Sequence, residues 1–470
     1  MFKKKQKFSR FRHQRLATPD AAWRGYQQKI RTRDEKQQAL RRIPWYFVLL
    51  VLFAALIHGG FRAAEYLMLS PPDRQTSLYP PNVTPLDRAG LQKILPPGRF
   101  LNLTEKVLEV DTGDGAYQIY TSIDTGLQKA ILNALDTRYA NRIGIVAIEP
   151  DTGRVLAMVS HNADDPDQNA CLAADLPAAS LFKIITAAAA LEAGGFDDQS
   201  RISFNGGKFT LYKRQLIDQE NRYTNYTSLK SAFAESINPV FGKLGKNELG
   251  KDLLVDYAGA YCFNQTIAFD LPMEQSDMII SDTPYNWAEI ACGFNRTTTL
   301  SPMHAAMIAS SMVNGGKMVV PTIVDVAAKD HKTVYRRRST MAETAVDAAT
   351  AKSLNKLMNA TITQGTARKL FSGMSKDPVL SRLHMGGKTG ALNNNARKIR
   401  YDWFAGYAAD PEGAGKIAIG VIVAHKDYIG KRAATYFRQA VSWYFKNRPA
   451  PSQKKQRTRN VASENKKNPA

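Results

Sequence analysis

Cysteine is scarce in this 470-residue chain: Cys171, Cys262 and Cys292 are all there is. None belongs to a C-x-x-C pair or is grouped with histidine at zinc-ligand spacing, which argues against a disulfide-stapled scaffold and a structural zinc module. The odd count forbids complete pairing, so one disulfide is the most that can form. His161, His304, His384 and His425 have no metal spacing either and read as structural or surface residues. No internal repeat is visible, and neither a metal nor a cofactor is expected.

Acidic side chains are in deficit, 42 against 64 Lys and Arg, for a net charge of +22. Such a charge first points to nucleic acid or another polyanion, but it is concentrated at the two ends. Residues 1–42 carry 14 basic and three acidic side chains, and residues 446–470 carry eight and one, leaving +4 for the 403 residues between them. A nearly neutral body excludes a broad nucleic-acid-binding face. With 44% hydrophobic and 23% charged residues, the chain is neither disordered nor a multi-span membrane protein.

A long apolar run occurs once. Residues 43–61 hold no formal charge, follow Arg41 and Arg42, and carry Trp45 and Tyr46 at one end. About 20 apolar residues suffice to cross a bilayer, so a single transmembrane helix is expected over 43–62. The basic lead, 1–42, then stays cytoplasmic, giving a single-pass anchor in the inner membrane with the rest of the chain outside. A buried core helix lacks support from periodicity, and a cleaved signal peptide from the long lead and the want of an A-x-A site. Seven of the 22 prolines fall between 70 and 97, so 63–117 is expected to be a stiff juxtamembrane linker. The compact domain is expected over 118–446, and the Pro-, Gln-, Asn- and Lys-rich tail, 447–470, is expected to be disordered and basic.

Within the domain, 143–160 reads as strand, turn at Pro150-Asp151-Thr152-Gly153, and strand. Residues 180–193 read as an apolar helix stopped by Gly194-Gly195. A mostly helical middle over 228–370, strands at 384–391, 402–408 and 416–424, and a final amphipathic helix at 432–446 complete the pattern. Strands at both ends with helices between them imply an α+β fold whose sheet joins the two ends of the domain.

Three short motifs could carry chemistry. In Ser180-Leu181-Phe182-Lys183 the serine and lysine share a helix face, and a lysine desolvated by its apolar neighbours loses its charge readily and can take the serine proton. Ser236-Ile237-Asn238 offers a second hydroxyl to relay a proton and an amide to hold a peptide carbonyl. Lys388-Thr389-Gly390, on a predicted strand after Gly386-Gly387, offers positive potential, a hydroxyl for a carboxylate and room for a substrate backbone. Singly they are weak: S-x-x-K recurs at Ser353, Ser452 and Ser463, and S-x-N at Ser160, Ser203, Ser353 and Ser463. Their order and spacing, 56 and then 152 residues, are another matter.

S-x-x-K, S-x-N and K-T-G in that order resemble the motif set of active-site-serine penicillin-binding proteins and serine β-lactamases. The resemblance covers about 325 residues, from Tyr120 (YTSIDTGLQKAILNAL) through VAIEPDTGRVLAMVS, SLKSAFAESINPVF, LSPMHAAMIASSMVNGGKMVVP, Gln364-Gly365-Thr366-Ala367 and Asp402-Trp403-Phe404-Ala405-Gly406-Tyr407. It is to the transpeptidase domain of penicillin-binding proteins, and implies a five-stranded antiparallel sheet flanked by helices, with a helical subdomain. It implies acylation of Ser180 by a D-Ala-D-Ala stem peptide of peptidoglycan, loss of the terminal D-Ala, and attack by an amine of a neighbouring strand. In that scheme Lys183 is the base, Ser236 the proton shuttle and Lys388 the electrostatic partner. Asn238, Thr389 and Gly390 hold substrate, and the N–H groups of Ser180 and Ala391 form the oxyanion hole.

Two positions depart from the family pattern. Ala391 stands where a small hydroxyl residue is common after K-T-G, and Ala179 where glycine often precedes the nucleophile. About 55 residues between the apolar run and the domain leave no room for a glycosyltransferase module or a large pedestal. Stem peptides and β-lactams are the expected ligands, the membrane and a lipid-linked glycan polymerase the expected partners, and nucleic acid is not expected. The alternatives are a D,D-carboxypeptidase, a β-lactamase, and a non-catalytic sensor of β-lactams or wall fragments. Cys171, nine residues before Ser180, and Cys292 are the pair that a single disulfide near the site would use.

Overall fold

The computed structural model describes residues 85–338 and 341–448. Its centre is a five-stranded antiparallel sheet in the order His384–Asn394, Ile399–Ala409, Lys416–His425, Ala140–Ile148, Val155–Asn162. The two strands from the start of the domain thus lie beside the three from its end, as the sequence pattern implies. Ile399–Ala409 and Lys416–His425 are almost continuously buried rather than alternating, because helices cover both faces of the sheet.

On one face lies the helix Pro302–Ser311, every residue of which is buried. It comes so close to the strand Lys416–His425 that a Cβ on Gly420 would sit 2.2 Å from Pro302 O and 2.7 Å from Ala306 N. The other face carries the helix Ala433–Lys446, which buries Tyr436, Phe437, Val441, Tyr444 and Phe445, each worth roughly 1.5–3 kcal/mol. That helix starts on Asp402, whose carboxylate accepts from Ala433 N at 3.0 Å and from Arg432 Nε and Nη2 at 2.6 and 3.0 Å. Beyond the first face stand the helices Lys183–Glu192, Leu229–Ala234, Asn238–Lys243, Pro284–Cys292 and Ala348–Thr363.

Three expectations need correction. The described part of the expected linker, 85–117, is folded. Asp87 caps the helix Arg88–Ile94, and Leu91, Leu95, Phe100 and Leu103 join the main core. Pro96 and Pro97 open the short turn Pro97–Phe100 instead of extending a spacer. The domain therefore begins before residue 118. The middle is also less helical than expected. Val324–Lys329 and Lys332–Arg336 form a hairpin turned by Asp330 and His331, both with left-handed φ (49° and 60°). This hairpin adds to Val107–Thr112 and Gly115–Thr121 in a second, four-stranded sheet; its run of Val, Ala and Tyr carried the strand signal. Finally, Cys171 and Cys292 are buried thiols rather than a disulfide. Cys171 Sγ faces Val159 O at 3.1 Å, and Cys292 Sγ faces Glu289 O at 3.6 Å on its own helix.

Among the described residues no helix is long and apolar enough to cross a membrane. The expected span at 43–62, the lead 1–42 and most of the tail 447–470 lie outside them. The tightness of the sheet–helix contact makes a direct prediction: Gly420→Ala should cost about 1–3 kcal/mol through overpacking, read as a lowered melting temperature of the purified domain.

Candidate active site

Ser180 stands in the short turn Ala179–Phe182 that leads into the helix Lys183–Glu192. The turn is held from both sides: Ala178 N donates to Thr298 O at 2.9 Å, and Trp403 Nε1 to Pro177 O at 2.8 Å. Ala179 has φ +49°, the left-handed region that glycine occupies more cheaply. Against it packs Gly293, which ends the helix Pro284–Cys292 with φ +70°; a Cβ there would lie 1.9 Å from Ala179 O and 2.9 Å from Ser180 N. Gly293 is therefore the residue whose want of a side chain lets the serine turn seat.

Lys183 is fully buried. Its Nζ lies 2.8 Å from Ser180 Oγ, 2.8 Å from Asn238 Oδ1 and 2.5 Å from the carbonyl of Cys292. A neutral amine has two N–H groups and one lone pair. Asn238 and Cys292 can only accept from it at those atoms, so in the neutral form the lone pair is directed at the serine hydroxyl. Burial pushes the pKa of Lys183 down to about 8, which makes the neutral form accessible near physiological pH.

Ser236 and Asn238 sit where the helix Leu229–Ala234 breaks and Asn238–Lys243 begins; Ser236 takes a left-handed φ of +57° there. Asn238 Nδ2 donates to Phe209 O at 3.1 Å while its Oδ1 faces Lys183, so the amide is fixed and keeps one N–H for a ligand. Lys388 is also fully buried, on the edge strand His384–Asn394. Its Nζ reaches Ser236 Oγ at 2.9 Å and Thr389 O at 2.8 Å. Burial, and then the neighbouring Lys183, push its pKa well below the usual lysine value. Phe233 and Phe241 place ring faces 5.5 and 5.6 Å from Lys388 and Lys183 Nζ.

All three motifs thus meet in one cleft of about 800 Å³. Ser180, Ser236, Asn238, Thr389, Gly390 and Ala391 line it, and Lys183 and Lys388 lie just beneath. Gly390 packs beside the serine turn: a Cβ there would be 3.1 Å from Trp403 Cβ and in ordinary contact, 3.5 Å, with Ala179 Cβ. The sequence motifs do not single out Thr366, whose Oγ1 is 2.6 Å from Thr389 Oγ1. Its turn is locked on the helix before Ser236 by Thr366 N donating to Ala234 O at 3.0 Å, with Gly365 in close backbone contact. Nor do they point to Gly293 or to the carbonyls of Cys292 and Phe209. A glycine after a helix end is visible in sequence, but its contact with Ser180 is not.

A serine in contact with one buried lysine, and a second hydroxyl held by another buried lysine beside a sheet edge, is an arrangement able to support serine acyl transfer. Residues 143–442 match the family model described as the penicillin binding protein transpeptidase domain, and the chain belongs to that family. Over 347 residues, 64% of this chain, it is 24% identical to the peptidoglycan D,D-transpeptidase PbpA of Mycolicibacterium smegmatis. The match spans 66% of that relative, slightly under two-thirds of its length. The crystal structure of PBPA from Mycobacterium tuberculosis superposes with a TM-score of 0.56 at 23% identity, covering 69% of this chain and 82% of that one. An imipenem acyl-enzyme complex of penicillin-binding protein A from M. tuberculosis superposes with the same TM-score at 22% identity, covering 69% and 79%. These likenesses establish the fold.

Two outcomes follow from the site. Gly293→Ala should displace the serine turn and slow acylation of Ser180 by about 100-fold, the cost of a displacement near 1 Å, measured as the rate of adduct formation by mass. Protonated Lys183 has no lone pair for the serine, so acylation should rise about tenfold per pH unit and level off above the pKa near 8. A pH-independent rate between 6 and 8 would contradict this role for Lys183.

Proposed function

We propose that the protein is a membrane-anchored D,D-transpeptidase that cross-links peptidoglycan stem peptides through a Ser180 acyl-enzyme, and that β-lactams acylate the same serine. The observation that carries this reading is the position of Lys183 Nζ, 2.8 Å from Ser180 Oγ with Asn238 Oδ1 and Cys292 O in contact on its other sides. Lys183 takes the serine proton as Oγ attacks the carbonyl between the two D-alanines. The N–H groups of Ser180 and Ala391 receive the oxyanion. Ser236, held by Lys388, relays that proton from Lys183 to the departing D-Ala amine as the C–N bond breaks, giving up its own proton and taking the lysine's in return. An acceptor amine then attacks the ester, loses a proton to Lys183 and forms the new amide as the C–Oγ bond breaks, and Lys183 returns that proton to Ser180 Oγ.

Asn238 orients the acyl amide, and Gly390 leaves room for the peptide on the sheet edge. Thr389, paired with Thr366, holds the terminal carboxylate in place of the hydroxyl that Ala391 lacks. The name of the mycolicibacterial relative and the imipenem acyl-enzyme of the tuberculosis protein support this reading. The segment 43–62 is the proposed single-pass anchor in the inner membrane, with 1–42 cytoplasmic and the catalytic domain outside. A lipid-linked glycan polymerase is the proposed working partner.

The test is intact-mass measurement of the solvent-side domain with penicillin, for wild type and Ser180→Ala, followed by a D-Ala-release assay with and without an acceptor amine. A lasting adduct in wild type alone, together with amide product from the acceptor, is the expected outcome. Hydrolysis without amide product would make the enzyme a carboxypeptidase, and an adduct on Ser180→Ala would overturn the assignment of the nucleophile.

A further inference from the structure

The cleft has charged groups that neither the acylation machinery nor the leaving D-Ala uses. Four charged side chains line it: Glu289, Arg296, Arg400 and Arg432. Arg432 is committed to the carboxylate of Asp402 through two hydrogen bonds. Arg296 donates one N–H to Asn393 O at 2.9 Å and keeps the rest of its fork exposed. Arg400 forms no ion pair or side-chain hydrogen bond among the described residues; its Nε is shut off from solvent, and so from any ligand, but its two Nη groups are not. A half-buried guanidinium on a cleft wall with its terminal N–H groups unpaired is suited to an anion that enters the cleft. Glu289, the one acid on the wall, has its pKa raised by burial, which weakens it as a competing anion.

The position of the arginines along the strand says which end of a substrate they meet. Resting on the reading above, the terminal carboxylate of the donor sits by Thr389 and Thr366, and the reacting carbonyl sits between Ser180 and Ala391. The acyl part must then run on past Leu392 and Asn393, and Arg400 pairs with Asn393 in the sheet register. Arg296 is bonded to that same residue. Both guanidiniums therefore stand at the acyl end of the cleft, away from the leaving group.

We propose that Arg400, aided by Arg296, binds a side-chain carboxylate of the acyl donor, so that the preferred donor carries a free carboxylate on the residue preceding its D-Ala-D-Ala. A planar fork suits a carboxylate better than the point charge of a lysine.

The test compares two donor peptides that differ only at that side chain, one ending in a carboxylate and one in its carboxamide. Wild type should favour the carboxylate in kcat/KM by about tenfold or more, the usual size of a charge-assisted contact, with most of the difference in KM. Arg400→Gln should bring the ratio close to one, and Arg400→Lys should restore part of it. The ratio does not depend on the fraction of variant that folds. A ratio near one in wild type, or one that Arg400→Gln leaves unchanged, overturns the proposal while leaving the Ser180 reading intact. Release of D-Ala from neither peptide, with no penicillin adduct on Ser180, overturns both.

Discussion

The site depends on one crowded ammonium-sized volume, the pocket around Lys183 Nζ. Three oxygens converge on it from three parts of the chain: Ser180 Oγ from its own turn, Asn238 Oδ1 from the helix break, and Cys292 O from a helix end. Each contact constrains an element as well as a proton. Asn238 fixes the hinge between the helices Leu229–Ala234 and Asn238–Lys243. Cys292 brings Gly293 against the nucleophile turn, where only a glycine fits. Removing any of the three would leave a buried amine short of a partner, with the desolvation cost that entails.

Two fully buried lysines in one site are a liability for folding, because each loses hydration that its partners replace only in part. That cost falls on the charged forms, and burial shifts both lysines toward the neutral form. Burial pushes the pKa of both downward, and proximity to Lys183 pushes Lys388 further. The aromatic faces of Phe233 and Phe241 are apolar walls that desolvate the amines while still tolerating a cation. The environment that makes the lysines expensive is therefore the one that would let Lys183 act as the proposed base near neutral pH. Stability and reactivity are coupled here through the same burial.

Much of this is legible in the sequence, for reasons that differ by residue. Ser180 and Lys183 share a helix face at i and i+3, a relation fixed by helical geometry alone. The split sheet is readable because apolar runs at both ends of the domain are short and bounded by turns. What cannot be read depends on contacts between distant segments. Thr366 meets Thr389 only because a turn docks on Ala234, and Gly293 touches Ala179 across more than a hundred residues of chain. The prolines before residue 98 suggest an extended spacer, yet 85–117 is folded. Pro97 occupies the first position of a tight turn, where a missing N–H costs nothing. The hairpin over 324–336 is masked by the helices around it in sequence, although its two turn residues are types that tolerate left-handed backbone.

The sheet edge gives the site its directionality. Among the described residues the strand His384–Asn394 has a hydrogen-bonded neighbour on one side only, and an exposed edge invites pairing with any extended chain. Here the open side faces the nucleophile turn, and a Cβ on Gly390 would lie 3.4 Å from Ala178 O and 3.5 Å from Ala179 Cβ. In the proposed reaction an extended peptide lies along this edge, so a feature that elsewhere leads to aggregation would serve to align the substrate. Strand alternation then divides the labour. Lys388 points to Ser236 beneath the cleft, while Thr389 points the other way to Thr366. A stem peptide bound as proposed would meet Lys388, the hydroxyl pair and Ser180 in a fixed order, with its acyl portion running toward Asn393 and Arg400. In the proposed reaction the polarity of the strand sets which end of the peptide is cut, and the side chains at its far end set which donors are held.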